Sequence, residues 1–159
     1  MIKVYIRPLS AKDSSVSFRW RNNPLIWKFT GKKPDKIVTV QDEFEWINNV
    51  LSNDDEFRFA ICIDSTNEYI GNAYLTNYDE IDKKAELHIF IGEIEYWNKG
   101  IGFQVVRLLE KVGVDKLSLR QIYLFVNREN HAAVSLYRKC GFESVSTREN
   151  FIKMTKNYE

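Results

Sequence analysis

The chain has 159 residues, 44% of them apolar, with 23 basic against 22 acidic side chains and a formal net charge of +1. That length suits a single domain over 1–159, and the balanced charge gives no electrostatic case for nucleic acid or an acidic membrane surface as partner. No apolar run reaches the roughly 18 residues of a membrane span, MIKVYIRPLS lacks the apolar core of a secretory signal, and Cys62 and Cys140 make no disulfide framework, so a reducing cytoplasm is the expected compartment.

Residues 3–7 read as a strand ended by Pro8. Ser10-Ala11-Lys12-Asp13 has the form of a capping box and opens a helix over 11–22, which closes before Pro24. Residues 25–38 read as a loop punctuated by Gly31 and Pro34. Thr39-Val40-Gln41-Asp42 is a second capping signal, and Val40, Phe44, Ile47 and Leu51 then recur at helical spacing, predicting one buried stripe. Residues 57–64 and 69–76 are two strands joined by a turn at 65–68, with a third strand over 84–91. Ile101, Val105, Leu108, Leu109 and Val112 mark a helix over 100–117. A β-rich run at 121–126 leads to a helix over 132–140 with the stripe Ala133, Leu136, Tyr137 and Cys140, and 142–146 and 151–155 close the chain as strands. The order β, α, α, β, β, β, α, β, α, β, β is an α/β (α+β) arrangement, a mixed sheet with helices packed on it. Cys62, in a strand, and Cys140, on an apolar stripe, read as buried small hydrophobes.

Four stretches bear on chemistry. Trp97-Asn98-Lys99-Gly100-Ile101-Gly102 joins a strand to an amphipathic helix. The first turn of a helix offers unpaired N–H groups and partial positive charge to a phosphate, and glycines let backbone approach a ligand. It is neither a P-loop, since no GKS or GKT follows, nor a GxGxxG fingerprint; packing alone would also explain it. In Val126–Phe142, Asn130 is placed to cap the last helix, Ala133 is small enough for close approach of an extended chain, and the Tyr137 phenol is either a core aromatic or a proton donor to a leaving thiolate. On strand 84–91, Glu86, His88 and Phe90 alternate with Ala85, Leu87, Ile89 and Ile91, so a carboxylate and an imidazole share one face. Arg21, Asn22, Trp27 and Phe29 lie in an aromatic and hydrogen-bonding stretch that is either a packed helix end or part of a pocket for a small acceptor.

The pattern NxxAxxxYxKxGF at 130–142 resembles the C-terminal motif of the GCN5-related N-acetyltransferases (GNAT), and the Gly100/Gly102 turn resembles their pyrophosphate loop, with Trp97 where the family usually has glutamine or arginine. Element order is similar along the whole chain, in the manner of the RimJ/RimL-like branch. The resemblance implies a mixed, mostly antiparallel sheet of six to seven strands flanked by four helices. It implies acetyl-CoA as co-substrate and no metal. The pantetheine arm would lie along Ile89, Phe90 and Ile91. The diphosphate would sit at Trp97, Asn98, Lys99, Gly100, Ile101, Gly102 and Phe103, and Asn130, Ala133 and Tyr137 would line the other side. Tyr137 would be the general acid and Glu86 the base or amine anchor, with Arg21, Asn22, Trp27, Phe29, Glu86 and His88 around the acceptor. Implied acceptors are a primary amine of an amino sugar, free or nucleotide-linked, or of a polyamine; the alternatives are a protein N-terminal amine or a non-catalytic acyl-CoA sensor. The resemblance is compatible with a homodimer.

Overall fold

The computed structural model describes residues 1–159, apart from the side chains of Phe29 and Thr30. Seven strands form one sheet: β1 (Val4–Pro8), β2 (Phe57–Ile63), β3 (Tyr69–Asp79), β4 (Lys84–Ile91), β5 (Gln121–Asn127), β6 (Glu143–Arg148) and β7 (Phe151–Asn157). Their spatial order is β1-β2-β3-β4-β5-β7-β6. Every neighbouring pair is antiparallel except β4 and β5, which run parallel.

Five helices cover the sheet: α1 (Ser14–Arg21), α2 (Pro24–Thr30), α3 (Val40–Leu51), α4 (Ile101–Leu117) and α5 (His131–Lys139). Strand alternation sends Ala73, Leu75, Ala85, Leu87, Ile122, Leu124 and Met154 to one face, where they pack with Ile101, Val105 and Leu109 of α4 and Val134 and Tyr137 of α5. The other face carries Ala60, Cys62, Tyr69 and Tyr74 against Trp20, Ile26 and Ile47 of α1, α2 and α3. Both cysteines are free and buried. Among the described residues no helix is long and apolar enough to cross a membrane.

The structure departs from the sequence reading in three places. The region expected to be a loop from 25 begins with α2, so five helices flank the sheet rather than four. Pro24 starts this helix instead of only ending the previous one. Asn23 Oδ1 caps it by accepting from Leu25 N (3.0 Å), proline at the first helical position needs no N–H partner, and Gly31 (φ 70°) ends it in the left-handed region. Second, the capping box at Ser10 is present, but it opens a 3-10 turn (Ala11–Asp13) that hands over to α1. Third, the stripe of α3 is not buried as a whole: Ile47 is, whereas Val40, Phe44 and Leu51 are 42%, 38% and 42% exposed. A buried carboxylate turns the helix. Glu43 accepts hydrogen bonds from Ser17 Oγ (2.8 Å) and Arg21 Nη1 (2.8 Å), and a charge removed from water must be paired. The Glu43/Ile47 edge therefore faces α1.

The far end of α5 is fixed by the last strand. Lys156 Nζ donates to the Cys140 carbonyl (2.7 Å) and pairs with Glu110 (2.7 Å), which also accepts from Arg107 (2.8 Å) and Tyr158 (2.5 Å). One carboxylate thus ties α4, the tail of the chain and, through Lys156, the helix that bears Tyr137.

Candidate active site

The parallel strands pair at only three positions, Lys84–Gln121, Ala85–Ile122 and Glu86–Tyr123. Beyond Glu86, β4 continues along β3 through Ile89–Ala73, Phe90–Asn72 and Ile91–Gly71, while β5 continues along β7. The sheet therefore opens into a wedge toward the C-terminal ends of β4 and β5. Its β4 side presents main-chain groups of residues 87–91 that no strand satisfies, and such groups suit hydrogen bonding to an extended, amide-bearing chain.

The wedge leads to the start of α4. A 3-10 turn (Ile94–Tyr96) follows β4, and the Trp97 indole turns inward, donating from Nε1 to the Ile91 carbonyl (2.8 Å). Trp97 thus braces the turn. Asn98 (φ 59°) and Gly100 (φ 79°) both adopt left-handed backbone, and residues 98–100 are exposed. α2, α3 and α5 are capped by the side chains of Asn23, Thr39 and Asn130, but α4 has no side-chain cap at Gly100. Its first amides are free for an anion, with the helix dipole behind them and exposed Lys99 beside them. Ile101 is buried and Phe103 is exposed under the Arg107 guanidinium (5.0 Å). Gly102 serves a different purpose from the one read in the sequence: a Cβ there would stand 2.7 Å from Leu136 Cδ2. Its lack of a side chain lets α4 close against α5.

On α5, Asn130 Oδ1 accepts from Ala133 N (3.2 Å), so this side chain is the helix cap, and Ala133 is half-buried. Tyr137 is buried, meets Phe142 edge-on, and its hydroxyl makes no hydrogen bond among the described residues. Burial pushes its phenol well above the ordinary value, so the proton stays on the oxygen through the physiological range.

The opposite face of β4 carries Glu86 and His88 at the root of the wedge. Glu86 accepts from Asn77 Nδ2 (3.0 Å), and its Oε2 lies 3.2 Å from His88 Nε2. The same ring nitrogen is 3.0 Å from Thr76 Oγ1. With Nε2 engaged by Glu86 and Thr76, Nδ1 carries the free lone pair. His88 is the more exposed of the two, its side chain at 46% against 14% for Glu86. Burial holds the imidazole below its usual pKa; Glu86 works against this, while Arg58 and Lys32 add to it. The paired strands put Tyr74 opposite His88, Thr76 opposite Glu86 and Glu86 beside Tyr123. The sequence reading does not single out Tyr74, Thr76, Asn77 or Tyr123, although Thr76 and Asn77 follow the apolar Ala73-Tyr74-Leu75 as a polar pair.

Of the acceptor residues expected from the sequence, Arg21 is ion-paired to Glu43 and stacked over Trp46 (5.1 Å). Asn22 is committed to structure: its amide donates to the Val38 carbonyl (2.8 Å) and the Phe18 carbonyl (3.2 Å) and accepts from Val38 N (2.7 Å). It pins the segment after α2 and has no hydrogen-bonding capacity of the expected kind left for a substrate. Asn22→Ala is expected to cost about 1–3 kcal/mol of stability, read as a lowered midpoint in chemical denaturation; an unchanged midpoint would show that the clamp contributes nothing. Trp27 is half-buried under Lys33 Nζ (5.7 Å), and the Phe29 side chain lies outside the described residues. A surface cavity of about 560 Å³ lies between this segment and α3, with Arg21, Val38 and Trp46 in its wall.

A family model described as "Acetyltransferase (GNAT) domain" matches residues 3–143. Spermidine N(1)-acetyltransferase of Escherichia coli (strain K12) is 29% identical over 140 residues, covering 87% of this chain and 72% of the relative. The crystal structure of spermidine N-acetyltransferase from Vibrio cholerae in complex with CoA and spermine superposes with a TM-score of 0.86 at 24% identity, covering 97% of this chain and 95% of that one. Aminoglycoside acetyltransferase AAC(6')-Ib in complex with coenzyme A superposes with a TM-score of 0.80 at 21% identity, over 98% and 95% of the two chains. The wedge between β4 and β5, the uncapped start of α4 and the match over residues 3–143 agree, and the chain belongs to the GNAT acetyltransferase domain family.

Proposed function

We propose that this chain moves the acetyl group of acetyl-CoA directly to a primary amine of a small molecule, with His88 as base, Glu86 as its orienting partner and Tyr137 as acid. The observation that carries this reading is the early end of β4–β5 pairing, at Glu86 and Tyr123, with the Glu86–His88 pair on one face of the opening and Tyr137 packed on the other. Backbone of 89–91 suits the pantetheine arm, and the amides of 98–103 suit the diphosphate.

The chemistry follows from the two faces. A protonated amine is no nucleophile, so His88 Nδ1 takes a proton as the amine nitrogen bonds to the thioester carbon. A main-chain N–H on the unpaired edge of β4 stabilises the oxyanion. As the C–S bond breaks, the Tyr137 O–H supplies the proton that the departing sulfur needs. Glu86 holds the imidazole through Nε2 and favours the imidazolium as it forms, so this reading gives the base role to His88, two residues beyond the Glu86 that the resemblance implies. The roughly 560 Å³ cavity favours a small acceptor over a protein N-terminus. Placement in the RimJ/RimL-like branch, a reducing cytoplasm and a homodimer belong to the same reading.

Release of free CoA thiol from acetyl-CoA with a panel of primary amines tests this function. Amine-dependent release is the expected result. Saturable donor binding with no release from any amine would overturn it in favour of a sensor of acyl-CoA. The pH profile carries a signed expectation. His88 must be neutral to act, and burial lowers its pKa from 6.5. The acidic limb of kcat/KM should therefore lie below that value, with activity flat above it until another group titrates. A limb at or above the ordinary imidazole range would remove His88 from this role.

A further inference from the structure

Three strands bring Arg58, Tyr74 and His88 into one row: Arg58 lies opposite Tyr74 across β2 and β3, and Tyr74 opposite His88 across β3 and β4. The Arg58 guanidinium is 4.1 Å from the Tyr74 ring centroid and 5.2 Å from that of Trp46, whose indole also carries Arg21 at 5.1 Å. Arg58 is only 10% exposed and binds Glu56 through Nη2 (2.5 Å). Its Nε is the one buried side-chain nitrogen or oxygen without a hydrogen-bond partner among the described residues. A guanidinium N–H left unpaired under cover is costly, and stacking between Tyr74 and Trp46 holds Arg58 there.

Trp46 is also a wall of the 560 Å³ cavity, and the charges around that cavity are uneven. Arg21, Lys32, Lys33 and Lys36 line it against Asp35 and Asp42, with Arg21 already paired to Glu43 behind the wall. Asp42 is already engaged, accepting from Thr39 N (3.0 Å). The basic cavity and the row that ends at His88 therefore meet at Trp46, whose indole stacks with both Arg21 and Arg58. A polycation entering there would meet like charge, whereas a phosphate would meet lysines and a stacked arginine suited to bind it.

We propose that the amine acceptor carries a phosphate ester or diphosphate, held in the cavity by Lys33 and Lys36 beside Trp46, whose indole Arg58 and Arg21 brace. The proposal rests on the acetyl-transfer reading above and narrows its acceptor from amines in general to anionic ones, set apart from spermidine.

The test is thiol release from acetyl-CoA with four probes: glucosamine, glucosamine 6-phosphate, a uridine-diphosphate-linked amino sugar, and spermidine. The expected kcat/KM for at least one phosphorylated amine exceeds that for glucosamine and for spermidine by about tenfold or more, as charge-assisted contacts to phosphate imply. Which phosphorylated probe leads separates a simple sugar phosphate from a nucleotide-linked one. In the double variant Lys33→Glu/Lys36→Glu, which alters two exposed loop side chains, that ratio should fall toward one. Preference for spermidine, equal rates with and without phosphate, or a ratio unmoved by the double variant overturns the proposal while acetyl transfer stands. No thiol release from any probe, with acetyl-CoA bound, overturns both.

Discussion

Tyr137→Phe is expected to lower kcat about 10²-fold, in the range that positioned general acids contribute, with little change in CoA affinity or in fold. The substitution removes one oxygen from a buried ring whose packing against Phe142 is otherwise kept. That oxygen has no hydrogen-bond partner among the described residues, so stability loses almost nothing. Catalysis should suffer because a leaving thiolate needs a proton from a group that still holds one. Burial raises the Tyr137 phenol, which keeps it protonated and available at neutral pH. Steady-state kinetics together with calorimetry of CoA binding separate the outcomes. Unchanged kcat would show that the sulfur obtains its proton elsewhere, and a parallel loss of CoA affinity would show a packing role.

His88→Gln is the second large effect, with a loss of about 10²–10⁴-fold in kcat/KM. Glutamine keeps a polar group near Thr76 and Glu86 but has no lone pair that can take a proton at neutral pH. Because His88 is partly exposed on a sheet face, folding should be preserved, and far-UV circular dichroism checks this. Glu86→Gln is expected to act through His88. Glu86 raises the imidazole pKa against the lowering by burial, Arg58 and Lys32, so removing its charge should move the acidic limb of the pH profile further down and reduce kcat. If Glu86 were itself the base, Glu86→Gln would abolish the reaction and His88→Gln would leave most of it. The comparison of the two variants decides between them.

The parts of the site that were legible in the sequence are those built from local spacing. Glu86 and His88 share a face because a strand alternates, Asn130 caps because it precedes a helix, and the turn before α4 is signalled by its glycines. The roles of single residues were harder to see, since they depend on what lies opposite. Gly102 is close to Leu136, 34 residues later in the chain, and nothing in its own neighbourhood reveals this. Arg58, Tyr74 and Tyr123 come beside Glu86 and His88 through the registers of β2, β3, β4 and β5, which hydrophobic alternation alone does not set. The face buried by α3 was misread because one paired carboxylate, Glu43, outweighed the exposed apolar positions Val40, Phe44 and Leu51. The helix α2 was in principle readable: Asn23-Pro24 followed by Gly31 is a start and stop signal, but proline was read only as an end.

Every proposed step requires that the amides at the start of α4 and the open edge of β4 hold the donor. Hydrogen exchange of individual backbone amides, measured with and without saturating CoA, tests it most directly. Exchange should slow at residues 98–103 and along 87–91, while the exposed strand β6 is unaffected. Saturating CoA that protects other segments and leaves 98–103 unchanged would contradict the account, because the donor would then lie elsewhere on the protein.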